Sequence, residues 1–160
     1  MNSLMATTMA QYNADKAYPM EARRSANELF SKAVSSGKRH MFWQKLIGKQ
    51  HKLWALSEVK DNAGQITNQS KPIVNVPLDN IVGSEGRAND FDQQFRPLVN
   101  HIRDRWVGMA VAYRRGKTFP PVELIQFGDA YYVRDGHHRI SVAKMFGQAT
   151  IEAEIAYVLT

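Results

Sequence analysis

The polar cluster Asp135-Gly136-His137-His138-Arg139 separates an aromatic, β-rich run (Val122 to Val133) from a short amphipathic run (Ile140 to Phe146). That change of period constrains the fold more than any other feature. A strand-length apolar run, a glycine and then helical spacing predict strand, sharp turn and helix in succession. Such a junction can offer free backbone N–H groups at a helix N-terminus to a phosphate. Gly136 permits the turn and a close approach of a ligand to the backbone. Arg139 supplies a planar fork of donors suited to phosphate or carboxylate, with His137 and His138 as further donors or proton carriers. A plainer reading needs no ligand: Asp135 caps the helix and Arg139 pairs with a carboxylate. The density of polar groups exceeds what a turn needs and favours anion binding.

Further pieces stand around this cluster in a definite order. They are Val76-Pro77-Leu78-Asp79-Asn80-Ile81, then Arg87 and Phe91, then Pro120-Pro121-Val122-Glu123-Leu124. Tyr131-Tyr132-Val133, the cluster itself and Ala143-Lys144-Met145-Phe146-Gly147 complete the series. In this order and spacing, residues from about Val76 to Val158 resemble the ParB/sulfiredoxin superfamily, and residues 1–70 lie outside the resemblance. It implies an α+β domain with a small mixed sheet and helices, preceded here by a basic helical extension. It also implies two ligand-facing elements, the helix entry from Gly136 to Arg139 and the loop Gly83-Ser84-Glu85-Gly86-Arg87. The two glycines of that loop would let backbone amides converge on an anion; taken alone, the loop reads as a plain turn.

Members of the superfamily differ in chemistry. Sulfiredoxins use the cysteine of a Gly-Cys-His-Arg motif; His137 stands in its place here, and the chain contains no cysteine. Sulfiredoxin activity is therefore excluded. ParB partition proteins carry Gly-Glu-Arg-Arg and bind a cytidine nucleotide through it; Gly136 and Arg139 match only the ends of that motif. This chain also ends where a partition protein would continue into a helix-turn-helix, so a stand-alone partition protein is not expected. Free-serine kinases resemble the cluster more closely with Asp-Gly-His-x-Arg and use a glutamate near the first strand as base, a role open to Glu85.

The resemblance and the residue types together suggest a domain that binds a nucleotide or another phosphorylated ligand, with phosphotransfer or nucleotide hydrolysis as the chemistry they would fit. Glu85, Asp135 and His137 are the candidate catalytic groups. Gly83, Ser84, Gly86, Arg87, Gly136, His138 and Arg139 are the candidate phosphate ligands, through amides and guanidinium groups. A magnesium ion would enter with the nucleotide, held by Asp135 or Glu85 through oxygen and water. A metal site built from protein alone is not expected, because adjacent residues entering a helix point about 100° apart.

Charge supplies the competing reading. The net charge of +6 is concentrated: Lys16, Arg23, Arg24, Lys32, Lys38, Arg39, Lys45, Lys49, Lys52 and Lys60 are opposed between Tyr12 and Lys60 only by Asp15, Glu21, Glu28 and Glu58. Interleaved with Phe42, Trp43 and Trp54, the basic residues Arg39, Lys45, Lys49 and Lys52 could bind DNA or RNA, by phosphate contact and base stacking. A nuclease is a third possibility, but no clustered carboxylates or histidine–metal signature supports it. Against the nucleic-acid reading, aromatics at helical spacing usually dock a helix on its own domain, and that is the expectation for Phe42, Trp43, Leu46 and Trp54. No apolar run approaches the ~20 residues needed to span a bilayer, and Met1 to Tyr12 lacks the form of a secretory signal. A cytoplasmic protein without a membrane partner is expected.

Along the chain, residues 1–13 read as a disordered leader, residues 14–70 as the basic helical extension and linker, and residues 71–160 as the ParB/sulfiredoxin-like domain. One helix is expected from Asp15 to Ser35, with Pro19 in its first turn and Ser36-Gly37 as its end. A second is expected from about Arg39 to Val59, interrupted near Gly48, and then a turn-rich linker from Asp61 to Lys71. A strand over Pro72 to Val76 follows. Asp90 and Asp92 read as helix-start residues, and Pro97 as the start of a longer helix stopped by Gly116. Within that helix Trp106 and Met109 read as core. The domain closes with a strand pair turned at Gly128-Asp129, a short helix from Ser141 to Phe146 and a strand from Ile151 to Val158.

Overall fold

A computed structural model describes residues 3–49, 52–60, 66–67 and 73–159, with side chains described for 19–49, 52–58 and 73–156. The Asp61–Lys71 linker lies outside the described residues except for Ile66 and Thr67. The fold is α+β. Helix α1 (Ser3–Leu46) leads into β1 (Trp54–Ala55), α2 (Leu56–Lys60), β2 (Ile66–Thr67), β3 (Ile73–Pro77) and β4 (Ile81–Ser84). Then come α3 (Arg103–Arg114), β5 (Val122–Phe127), β6 (Ala130–Asp135), α4 (His137–Met145) and β7 (Thr150–Leu159). The strands form one mixed sheet in the order β1-β4-β6-β5-β7-β2, with β3 also paired to β7.

The hairpin is the simplest local outcome. Phe127 pairs with Ala130 across Gly128-Asp129, and Gly128 takes a positive φ of 57°, as a two-residue hairpin turn requires. Strand β6 lies parallel to β4, and β5 lies parallel to β7. Parallel neighbours need crossovers, which α3 and α4 provide. The C-terminal ends of β4 and β6 thus lie side by side, and the loop after β4 meets the turn after β6.

One face of the sheet is buried beneath α3, α4 and part of α1, with Phe30, Trp106, Val107, Val122, Leu124, Val133 and Ile140 in the interior. On the other face, Leu56 of α2 packs with Ile125 and Tyr132. The indole N–H of Trp106 donates to Ser141 Oγ at 2.8 Å, and that hydroxyl donates to the Phe95 carbonyl at 2.6 Å. The polar edge of the largest core side chain is thereby satisfied.

The N-terminal half departs from the expected pattern. One helix replaces two, and it starts at Ser3, within the segment expected to be disordered. Residues such as Leu4, Met5, Ala6, Met9, Ala10, Ala14 and Ala17 are strong helix formers, and Pro19 lies inside the helix. Gly37 does not end it. An added Cβ there would lie 3.1 Å from the Pro97 carbonyl oxygen and 3.2 Å from Leu98, so this glycine lets the helix approach the loop. Leu46 ends α1, and Gly48 follows with a φ of 69°.

The expected docking surface is also reversed. Ala26, Phe30, Ala33 and Val34 are buried, with Phe30 edge-on to Trp106 at 5.5 Å. Phe42, Trp43, Leu46 and Ile47 are exposed, and Trp54 is 44% exposed. Beyond the end of α1, Leu53 and Leu56 are buried, so the described residues from 39 to 59 do not form the single apolar face expected of one helix.

The helix expected at Pro97 begins only at Arg103. Asp92 is fully buried and organises a turn instead: its Oδ1 accepts the amides of Gln94 and Arg96 at 3.0 and 2.9 Å. Its Oδ2 accepts Arg96 Nε at 2.7 Å. Phe95 takes a φ of 57°, and Pro97 bridges antiparallel to Phe91. A carboxylate that satisfies two amides and a guanidinium fixes this loop more strongly than proline's preference for a helix start.

Candidate functional site

Gly136 is the N-cap of α4, with a φ of 103° and no side-chain cap. A Cβ at this position would lie 2.5 Å from Val122 Cγ1, so both conformation and space require glycine. Ile140 N bonds back to the Gly136 carbonyl, which leaves the amides of His137, His138 and Arg139 without an acceptor inside the helix. They form the positive end of its dipole.

Asp135 does not cap the helix. Its carboxylate accepts from Arg139 Nη2, while Arg139 Nη1 donates to the carbonyls of Pro120 and, at 2.7 Å, Pro121. The plainer reading of Arg139, pairing with a carboxylate, describes the geometry. Its guanidinium binds α4 to the segment before β5, and its Nη1 and Nη2 donors are directed at protein.

On the other side, Ser84 ends β4. Its Oγ is fully buried and accepts the amides of Gly86 at 3.2 Å and Arg87 at 2.8 Å. With both lone pairs engaged, the hydroxyl proton is left for His137 Nε2, 2.7 Å away. His137 therefore carries its own proton on Nδ1. One serine joins the loop after β4 to the entry of α4, and the two elements expected to face a ligand lie beside one another.

A cleft of about 140 Å³ opens between them, lined by Arg87, Arg105, Met109 and the run from Asp135 to Arg139. Beneath it, the Phe91 ring stacks on His137 at 6.1 Å and meets His138 edge-on at 5.9 Å. The two histidines are only 5% and 8% exposed. Burial, followed by the positive charge of Arg87, lowers His137 to about 4. Burial, Arg87 and Arg105 lower His138 to about 4. Both rings are neutral at neutral pH, and His138 Nδ1 is buried without a hydrogen-bond partner.

The remaining candidates fall in different places. Gly83 lies within β4, where a Cβ would come 2.3 Å from the Tyr132 ring and 2.5 Å from the Trp54 carbonyl oxygen; its glycine serves strand packing. Gly86 is exposed on the loop. Glu85 faces Arg134 at 3.8 Å. Lys52 donates to Asn89 Oδ1 at 2.8 Å, and Arg39, Lys45 and Lys49 are exposed at the end of α1, apart from the cleft. Met109, expected in the core, is half-buried and lines the cleft. Arg105 was not legible as a site residue, since only the folded position of α3 aims this ordinary polar position at the α4 N-terminus. A larger cleft of about 420 Å³ borders Lys144 and Asp79, but it lacks the convergence of two arginines on a helix N-terminus.

No family model matches the chain, and no curated protein matches it. Among solved structures it is similar to sulfiredoxin from Arabidopsis thaliana, at 23% identity over 52% of this chain and 83% of that one, with a TM-score of 0.38.

Proposed function

We propose that the chain binds a phosphate-bearing small molecule, of nucleotide class, with a phosphate group seated between Arg87, Arg105 and the N-terminus of α4. The observation that carries this reading is the cationic cleft itself. Two guanidinium groups and three helix-terminal amides border the cleft, His138 Nδ1 is buried without a partner, and burial together with repulsion from Arg87 keeps both histidines neutral. An anion would relieve that repulsion and gain charge-assisted hydrogen bonds. A cleft of about 140 Å³ suits a phosphate group, and small-molecule pockets usually begin near ~300 Å³. The nucleoside would therefore lie outside it.

Binding is better supported than turnover. Glu85 and Asp135, the candidate bases and magnesium ligands, are engaged by Arg134 and Arg139, and His137 Nε2 is held by Ser84. A magnesium ion would be carried in by the phosphates. Calorimetric titration with inorganic phosphate and a panel of nucleoside di- and triphosphates, with and without magnesium, tests the reading. Arg87→Ala and Arg105→Ala should each weaken the best ligand at least about tenfold, or roughly 1.4 kcal/mol, and Lys45→Ala should leave it unchanged. No binding of any phosphate-bearing ligand, or binding indifferent to both arginines, refutes it.

A further inference from the structure

Helix α1 carries two apolar stripes. Ala26, Phe30, Ala33 and Val34 form the buried one. Phe42, Trp43 and Leu46, with Ile47 just beyond the helix, form the other and are 64, 62, 66 and 59% exposed. At 100° per residue the second stripe points roughly 150° away from the first, so the domain that receives one cannot cover the other. Four large apolar side chains in two turns exceed the scattered single exposures of ordinary surfaces.

The charge around this stripe is of one sign. From Leu29 to Ser57 the sequence has six basic residues, Lys32, Lys38, Arg39, Lys45, Lys49 and Lys52, and no acid. Lys38, Arg39, Lys45 and Lys49 border the stripe and are exposed. A second copy of the chain would set these cations against their own equivalents across a two-fold interface. Single-stranded nucleic acid would satisfy the cations but waste Leu46 and Ile47, which have no ring face for a base. Phe42 and Trp43 already meet edge to face at 6.1 Å and 76°, so they do not offer two parallel platforms.

An anionic bilayer surface uses every group. The apolar side chains enter the headgroup boundary, and the long Lys and Arg stems lie along them with their charges at the lipid phosphates. We propose that the C-terminal end of α1 docks the protein peripherally on anionic lipid bilayers. Among the described residues no helix is long and apolar enough to cross a membrane, and peripheral docking requires none.

Co-sedimentation of the full chain with phosphatidylcholine vesicles, with and without about 30 mol% phosphatidylglycerol, tests this proposal. Binding should occur on the anionic vesicles and weaken with salt. Leu46→Ser with Ile47→Ser should reduce it at least tenfold without lowering the melting temperature, and Lys45→Ala with Lys49→Ala should reduce it further. No binding to anionic vesicles overturns the proposal, as does equal binding by the Leu46/Ile47 variant. Two other results also overturn it: tight binding of a single-stranded oligonucleotide that displaces the vesicles, and a dimer in light scattering that the Leu46/Ile47 variant abolishes.

Discussion

Acid should destabilise this protein through His137 and His138. Each ring moves from an ordinary value of 6.5 to about 4 on folding. Below pH 6.5 the unfolded chain therefore takes up protons that the folded chain refuses, and stability falls as pH drops through the window from 6.5 to 4. Above 6.5 both states hold neutral rings, and the effect is absent. Between about pH 7.5 and pH 5 the linkage relation gives roughly 2 kcal/mol for each ring, about 4 kcal/mol for the pair. That is a large part of the ~5–15 kcal/mol by which domains are stable. Urea unfolding followed by tryptophan fluorescence, with buried Trp106 as the core reporter, should show the midpoint falling steeply over this range. His137→Gln with His138→Gln removes the titration; the variant starts less stable at neutral pH, having lost the Ser84 contact, but its profile should be flatter. A wild-type midpoint that does not move, or a variant with the same slope, refutes the reasoning. Added phosphate should protect more at pH 5 than at pH 7.5, because an anion in the cleft raises both rings and its binding takes up protons.

Three further outcomes separate the packing roles. Phe30→Ala should cost about 3–5 kcal/mol, whereas Trp43→Ser should change stability by no more than about 0.5 kcal/mol; chemical denaturation of both reads the contrast directly. Gly83→Ala forces a Cβ against the Tyr132 ring and the Trp54 carbonyl and should cost at least about 1–3 kcal/mol, seen as a lower melting temperature. Arg139→Lys keeps the charge but cannot span Pro120, Pro121 and Asp135 together, so it should lose roughly 1.5–3 kcal/mol in denaturant titration, with little direct loss of phosphate affinity.

The C-terminal half was legible because its signals are local. The two-residue turn at Gly128, the glycine before α4 and the apolar runs of β5 and β6, buried on both faces, each follow from a few neighbouring residues. The N-terminal half was not, because periodicity reports that apolar stripes exist without saying which one meets the core. Phe42 and Trp43 looked like the stronger anchors, yet smaller Ala26 and Ala33 allow close helix packing and Phe30 reaches Trp106. Gly37 and Pro97 carried helix-boundary signals that tertiary contact overrode. At the site, Gly136 and the adjacent loops could be inferred from sequence, but Ser84's link to His137 and the approach of Arg105 exist only once β4, α3 and α4 are assembled.

The cleft is electrostatically costly to the fold that contains it. Arg87 and Arg105 stand near a positive helix end, and below pH 6.5 the two buried imidazoles beside them refuse protons that the unfolded chain would take up. A purely structural turn would gain by exchanging one of these cations for a neutral or acidic residue. Arg139 shows how the fold treats a structural cation: Asp135 and two carbonyls engage it. Arg87 has a looser partner in Asp90 at 3.6 Å and keeps part of its guanidinium exposed toward the cleft. The difference between these two arginines, one tied to a carboxylate and two carbonyls and one partly open beside the helix-terminal amides, separates the scaffold of this site from the groups that can receive a ligand. If the cost is indeed functional, Arg105→Gln should raise stability at pH 5 while weakening phosphate binding. A gain in stability with unchanged binding would make the cluster incidental.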